Sequence, residues 1–338
     1  MIDASVLVVG GGAIGGVTAA QLTGSVRRVV VLDADREHVE RLRGAGLRLD
    51  DLGEERRVAI DACADPAELG ERFDFALVTL KAAGHEAALP PLRERDAADC
   101  FVSLGNGLVQ DRVAELVGRE RLIAGIVEWG ATNLGPGHLA RTTRGPFVVG
   151  ELDGPPRERT RRLAEALAPA GEVRITDDIR GMVWTKLLVN SVFSGLGAVS
   201  GLLYEEVVAD PAGREVALAM WREGYDAGVA QGLNLDRVLG VPAESLVVRD
   251  AADRPRAEEA LDRAMERHGK TKASMLQDLE RGAATEVDVI DGAVVERGRA
   301  HAVPTPLHER VVELVHAAER GERRPSPAAL GELARQLP

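Results

Sequence analysis

Only four of the 42 basic side chains in this 338-residue chain are lysines. Where positive charge alone is wanted the chain uses arginine, so a retained lysine marks a task that guanidinium performs poorly. An ammonium group is compact and its pKa falls toward neutrality on burial, whereas arginine stays charged at any working pH. Lys186, in Trp184-Thr185-Lys186-Leu187-Leu188-Val189-Asn190, is the candidate proton donor. Lys186, Asn190 and Ser194 stand at i, i+4 and i+8, a spacing that projects all three from one face of a helix. Three polar groups on an otherwise apolar helix are costly to bury unsatisfied. The face reads as the wall of a pocket for a small polar molecule, or as an interhelical hydrogen-bond network. Gly195, Gly197 and Gly201 leave room there for a close partner.

Two later segments can complete such a site. Ser274-Met275-Leu276-Gln277-Asp278 opens a helix, Gly282 interrupts the pattern, and Thr285-Glu286-Val287-Asp288 begins the next helix. Thr285 with Asp288 is close to a capping box, which puts Glu286 in the first turn near the positive helix end. An ionised Glu286 there can orient or polarise a nearby lysine; the plainer reading is a solvated first-turn acid.

The residues that could hold a cofactor lie at the other end of the chain. Ser5 to Val9 is a short apolar strand that runs into Gly10-x-Gly12-x-x-Gly15, and a helical pattern follows. This is the dinucleotide-binding spacing in its proper strand-to-helix setting. Gly10 allows the tight turn and Gly12 lets amides approach a pyrophosphate; Gly15 lets the helix pack on the strand. Ala13 and Ile14 open the helix, whose unpaired amides form an anion site. Asp33 ends a second strand, Val29 to Asp33. A carboxylate there accepts hydrogen bonds from the adenosine ribose and repels a 2′-phosphate, favouring NADH over NADPH. Asp35 adds to that repulsion and Arg36 opposes it.

The elements that must position these residues alternate strand and helix through the first half. Phe75 to Leu80 and Phe101 to Leu104 are further strands, and Arg157 to Leu167 with Val173 to Thr176 is the last helix–strand pair. Such alternation predicts βαβ units and a parallel, doubly wound sheet. From Asp178 onward the pattern is helical almost throughout. The expected division is a nucleotide-binding domain over 1–177 and a helical substrate domain over 178–338. Pro325 and Pro327 lead into one last helix.

Composition limits the partners. A net charge of −12 argues against nucleic acid or an anionic membrane. Cys63 and Cys100 are isolated, with neither metal spacing nor disulfide density, so no metal site is expected and a reducing cytoplasm is the default. The acidic start carries no secretory pattern. Leu187 to Leu203 contains four polar residues (Asn190, Ser191, Ser194 and Ser200) and three glycines, which reads as a buried helix and not a membrane span.

Taken together these segments resemble the ketopantoate reductase (2-dehydropantoate 2-reductase) family over nearly the whole chain. The resemblance rests on Gly10 to Gly15, Val78-Thr79-Leu80-Lys81-Ala82, Ser103-Leu104-Gly105-Asn106-Gly107 and Gly135-Pro136-Gly137-His138. The second half adds Trp184-x-Lys186-Leu187-x-x-Asn190, Ser274 to Asp278 and Thr285-Glu286. It implies an N-terminal Rossmann domain, an all-helical C-terminal domain and an active site in the cleft between them. By the same resemblance the general acid is Lys186 and the active-site glutamate Glu286. Asn106 contacts nicotinamide and substrate, Lys81 contacts the cofactor, and Asn190 and Ser274 bind substrate. Ser194, on the face of Lys186 and Asn190, is counted with them.

Four positions depart from the family's pattern. A second asparagine is replaced by Ser194, and another by Thr271. An Asn-Gly step falls near Tyr204 and Glu205, and the arginine that many members use for the 2′-phosphate falls near Ala34. The expected function is therefore NAD(P)H-dependent reduction of a small 2-oxo acid, foremost ketopantoate, within pantothenate biosynthesis; a homodimer is an open expectation. The alternatives are a relative acting on another 2-oxo acid or an imine, and a protein that senses the dinucleotide without turnover.

Overall fold

The computed structural model describes residues 1–337 and divides the chain into two compact units. The first comprises Met1–Gly105 with Val109–Ile179; the second comprises Asn106–Leu108 with the chain from Arg180 onward.

The first unit is built on an eight-stranded sheet. Its elements run β1 (Ile2–Val9), α1 (Ala13–Leu22), β2 (Val26–Leu32), α2 (Arg36–Ala45), β3 (Leu47–Asp51), β4 (Glu54–Val58), β5 (Asp61–Cys63) and β6 (Phe73–Val78). They continue α3 (His85–Glu94), β7 (Ala98–Ser103), α4 (Gln110–Val117), β8 (Leu122–Val127), β9 (Ala131–Gly135), β10 (His138–Arg141), β11 (Phe147–Glu151), α5 (Glu158–Leu167) and β12 (Val173–Ile175). The sheet order is β12-β11-β8-β7-β6-β1-β2-β5. Val6, Leu7, Val8 and Val9 are all almost fully buried, as a central strand covered on both faces requires. The chain winds outward from β1 to β2 and then returns to place β6 on the other side of β1. That reversal makes a switch point between β1 and β6, where open α/β sheets bind their ligands.

Two features differ from the sequence expectation. The sheet is mixed, because β11 runs antiparallel to β8. A second sheet of order β4-β3-β10-β9 also packs its strands on α1. Its strands are short and largely charged, and only Leu47, Leu49 and Leu139 are wholly buried, so their apolar signal is slight.

The second unit is helical. It contains α6 (Ile179–Val189), a π-turn (Asn190–Ser194), α7 (Gly195–Ser200), α8 (Tyr204–Ala209), α9 (Pro211–Ala230), the small ribbon β13 (Arg237–Val238) and β14 (Val241–Pro242), and α10 (Arg254–His268). The last helices are α11 (Ser274–Glu280), α12 (Val287–Ala300), α13 (Pro306–Glu319) and α14 (Ala328–Ala334). The continuous run 179–200 is long and apolar enough to cross a membrane by length and composition, yet 78% of its apolar 18-residue window is buried inside the protein. It is the core helix of this unit. Trp184 and Trp221 anchor that core, their indole N–H groups donating to Gly224 O and Ala243 O. Both cysteines are buried and free.

Candidate active site

The glycine loop lies at the carboxyl end of β1, beside the end of β6. The Thr79 hydroxyl, just past β6, donates to Gly10 O at 2.7 Å. A Cβ on Gly15 would stand 2.0 Å from Gly10 O and 2.3 Å from Thr79 Oγ1, so only glycine lets α1 lie this close to the loop. On the outer side the space is open: a Cβ on Gly12 would meet nothing within 4 Å. Helix α1 starts at Ala13 with no side-chain cap and no acid in its first turn, and Gly12, Ala13 and Ile14 are half-buried. The amides and the positive helix end therefore suit a diphosphate.

Asp33 follows β2. Its Oδ2 accepts the Gly11 N–H at 2.6 Å and its Oδ1 accepts the Asp35 N–H at 2.9 Å. Helix α2 is capped by a different carboxylate, Asp35, whose Oδ1 accepts the His38 N–H. Each Asp33 oxygen keeps a second lone pair for a ribose hydroxyl. Arg36 is exposed at the first position of α2, and Lys81 is exposed two residues beyond Thr79.

The candidate acid–base residues all belong to the second unit. The short segment Asn106–Leu108 joins it through the Leu108 N–H, which donates to Val289 O on α12 at 2.9 Å. Asn106 Nδ2 then donates to Glu286 Oε2 at 3.5 Å, pairing residues 180 positions apart. Asn106, Lys186, Asn190 and Glu286 are each half-buried, and Ser274 is exposed. The expected capping box does not form. Glu286 is the N-cap residue and not a first-turn residue; the Thr285 N–H and hydroxyl both donate to Glu319, and the same hydroxyl accepts the Val287 N–H at 3.3 Å. Asp288 pairs instead with His316 Nε2 at 2.9 Å.

The expected common face of Lys186, Asn190 and Ser194 is broken between the second and third. The Gly195 N–H reaches back five residues to Asn190 O. Such a π-turn advances less per residue than an α-turn, so Ser194 swings inward, and it is 1% exposed. Its hydroxyl sits 3.3 Å from that of Ser274 and accepts the Met275 N–H at 3.4 Å. The buried Tyr204 ring lies against Phe193 with centroids 5.4 Å apart, and its hydroxyl meets Ser194. Burial pushes that phenol well above its usual range. The Tyr204 N–H donates to Thr271 O. Ser194, Tyr204 and Thr271, scattered in the sequence, thus meet beside Ser274, and Ser194 supports that residue from within. The π-turn packs on α11 and α12, which carry Ser274 and follow Glu286.

Behind the π-turn lies a charged group that no spacing announced. The Asp291 and His308 side chains are both fully buried, with Nδ1 3.0 Å from Oδ1. Burial lifts the Asp291 carboxyl to about 6. Burial also opposes protonation of His308, but the adjacent Asp291 carboxylate, together with Glu223 and the Met220 carbonyl, outweighs it and raises the imidazole. Glu223, raised by burial, accepts the Leu307 and His308 amides that open α13. Among the described residues no cluster suits a metal ion.

Comparison with known proteins agrees in both halves. The ketopantoate reductase PanE/ApbA pattern matches residues 6–154, and the C-terminal pattern of the same family matches residues 178–319. A 2-dehydropantoate 2-reductase from Mesorhizobium japonicum is 31% identical, the alignment covering 94% of this chain and 98% of that protein. A PanE/ApbA family ketopantoate reductase from Ralstonia eutropha superposes with TM-score 0.79 at 26% identity, covering 94% of this chain and 99% of the other. D-mandelate dehydrogenase, solved with NADH and anilino(oxo)acetate, also has TM-score 0.79, at 22% identity over 94% of this chain and 98% of that one, and shares the fold. With a glycine loop at the sheet's switch point and an amide–carboxylate pair in a helical second unit, the chain belongs to the ketopantoate reductase family of oxidoreductases.

Proposed function

We propose that this protein reduces a small 2-oxo acid, 2-dehydropantoate, to its 2-hydroxy acid, using a nicotinamide dinucleotide held by the Gly10–Gly15 loop. The reduced nicotinamide, when bound, supplies the hydride. Lys186 hydrogen-bonds the ketone oxygen and provides the proton that the developing alkoxide takes up. Glu286 holds Lys186 or the nascent hydroxyl, and Asn106 is placed by its bond to Glu286. Ser274 and Asn190 fix the carboxylate or hydroxyl end. The observation that carries the reading is the Asn106–Glu286 pair, because it joins two distant motifs in a half-buried setting within the unit that bears Lys186. We further propose domains over 1–177 and 178–338.

The finer cofactor reading is a preference for NADH. Asp33 is anchored by two backbone amides, beside the place where a 2′-phosphate would add charge.

One observation favours a second reading, a relative specific for another 2-oxo acid. Ser194 is buried and its hydroxyl is engaged by Ser274 and Met275, so that position presents no side chain to a substrate. Initial rates with ketopantoate and a panel of other 2-oxo acids, each with NADH and NADPH, separate the two readings. Ketopantoate giving the highest kcat/KM supports the first. A hundredfold advantage for another acid, about 2.7 kcal/mol in transition-state binding, replaces it with the second.

A further inference from the structure

The Gly135-Pro136-Gly137-His138 segment has no part in the chemistry above. It forms the turn from β9 to β10 and lies directly on α2, since a Cβ on Gly137 would stand 2.7 Å from the Arg41 Cβ. There the Gly137 N–H donates to His38 Nδ1 at 3.0 Å. His38, on the inner side of α2, is 4% exposed, and its other ring nitrogen, Nε2, is buried with no hydrogen-bond partner in the structure. With Nδ1 accepting, the ring hydrogen sits on Nε2. Buried donors without acceptors are rare in native proteins and call for an explanation.

The Nε2 edge faces the glycine loop. A Cβ built on Gly11 would stand 3.0 Å from His38 Nε2, 3.2 Å from His38 Cδ2 and 2.7 Å from Val31 Cγ1. Val31 and the imidazole together thus fill the space that any side chain at position 11 would need. From another direction Asp33 Oδ2 takes the Gly11 N–H at 2.6 Å. Gly11 is therefore held at its amide by Asp33 and closed in on its Cβ side by Val31 and His38, and His38 is itself held by the turn at Gly137.

We propose that His38 is a positioning residue for the dinucleotide: braced by Gly137, its Nε2 edge sets the position of Gly11 and hence of the loop amides that receive the pyrophosphate. The proposal rests on the reading of Gly10–Gly15 as the dinucleotide loop. It gives the Gly-Pro-Gly-His turn a task, which is to seat the imidazole from behind.

Two substitutions separate the two ends of the ring. In His38→Asn the amide oxygen reaches the Nδ1 position and keeps the bond from Gly137, while the edge facing Gly11 is lost. In His38→Gln the amide N–H reaches the Nε2 position and keeps the brace, while the Gly137 bond is lost. Dissociation constants for NADH and NADPH are measured by fluorescence titration of the full-length protein, beside Tm and steady-state rates. His38→Asn is expected to raise both dissociation constants about tenfold, the scale of one lost contact. KM for the 2-oxo acid and kcat at saturating dinucleotide should stay within about twofold of wild type. His38→Gln is expected to bind more tightly than His38→Asn even where its Tm is lower. Wild-type affinity in His38→Asn overturns the proposal, as does an affinity loss that simply follows Tm in the two variants. A wild-type protein that binds neither dinucleotide overturns the reading of the loop itself.

Discussion

Substituting His308 should expose how strongly the second unit depends on its buried charge pair. Both ring nitrogens face acceptors, Nδ1 the Asp291 carboxylate at 3.0 Å and Nε2 the Met220 carbonyl at 3.1 Å. Both therefore carry hydrogens, and the ring is an imidazolium held between α9 and α12. His308→Ala leaves the fully buried Asp291 carboxylate without its imidazole bond and countercharge. Removing one partner of a buried pair costs about 3–5 kcal/mol. For a unit of this size that is a fall in Tm of about 6–20 °C by calorimetry. Asp291→Asn should cost less, about 1–3 kcal/mol, because a neutral ring can donate to only one of its two acceptors.

The pH dependence has a definite sign. Asp291 is raised from 3.8 to about 6 in the folded protein, so its contribution is present below 3.8 and is lost as pH rises through about 6. That shift corresponds to about 3 kcal/mol. His308 is raised above its ordinary 6.5, so its stabilisation is full below 6.5 and is lost as pH rises through the folded value. Both contributions fall as pH rises, that of Asp291 between 3.8 and about 6 and that of His308 above 6.5, and Asp291→Asn should flatten both limbs. A His308→Ala protein within 1 kcal/mol of wild type, below the range for a broken buried pair, would refute the imidazolium assignment. So would an alkaline limb unchanged in Asp291→Asn.

Three further outcomes follow from the site. Lys186→Ala should lower kcat about 10²–10⁴-fold with dinucleotide binding nearly intact, and retention of a tenth of wild-type kcat removes Lys186 from the acid role. Lys186→Arg should fail as well, since guanidinium does not release its proton at working pH. Glu286→Gln should fold normally and turn over more slowly; a changed Tm with an unchanged rate would reduce Glu286 to a helix cap. NADH should be preferred over NADPH about tenfold in kcat/KM, which requires only about 1.4 kcal/mol of repulsion at Asp33. Asp33→Ala should narrow or reverse that ratio, and a wild-type preference for NADPH would show that Arg36 or another cation outweighs Asp33.

The local structure of this protein was legible in its sequence. A β-branched run into Gly10-x-Gly12-x-x-Gly15 announces strand, turn and helix because each step is dictated by residues within fifteen positions of one another. The helical second half and its apolar core helix likewise follow from near-neighbour periodicity, and the family motifs carry Lys186, Asn106 and Glu286 in order. Tertiary structure decided what near neighbours cannot. The π-turn turned Ser194 from a pocket wall into an internal support, because an α-spacing in the sequence does not say where a helix will widen. The Thr285 hydroxyl donates to Glu319, 34 residues on, while accepting the Val287 N–H, and Glu286 stands at the N-cap position. The pairs Asn106–Glu286, His308–Asp291 and His38–Gly137 each join residues whose separation along the chain carries no signal. Sequence determines which groups exist and which local turns they favour; only packing determines which of them lose water together, and burial is what gives those groups their partners.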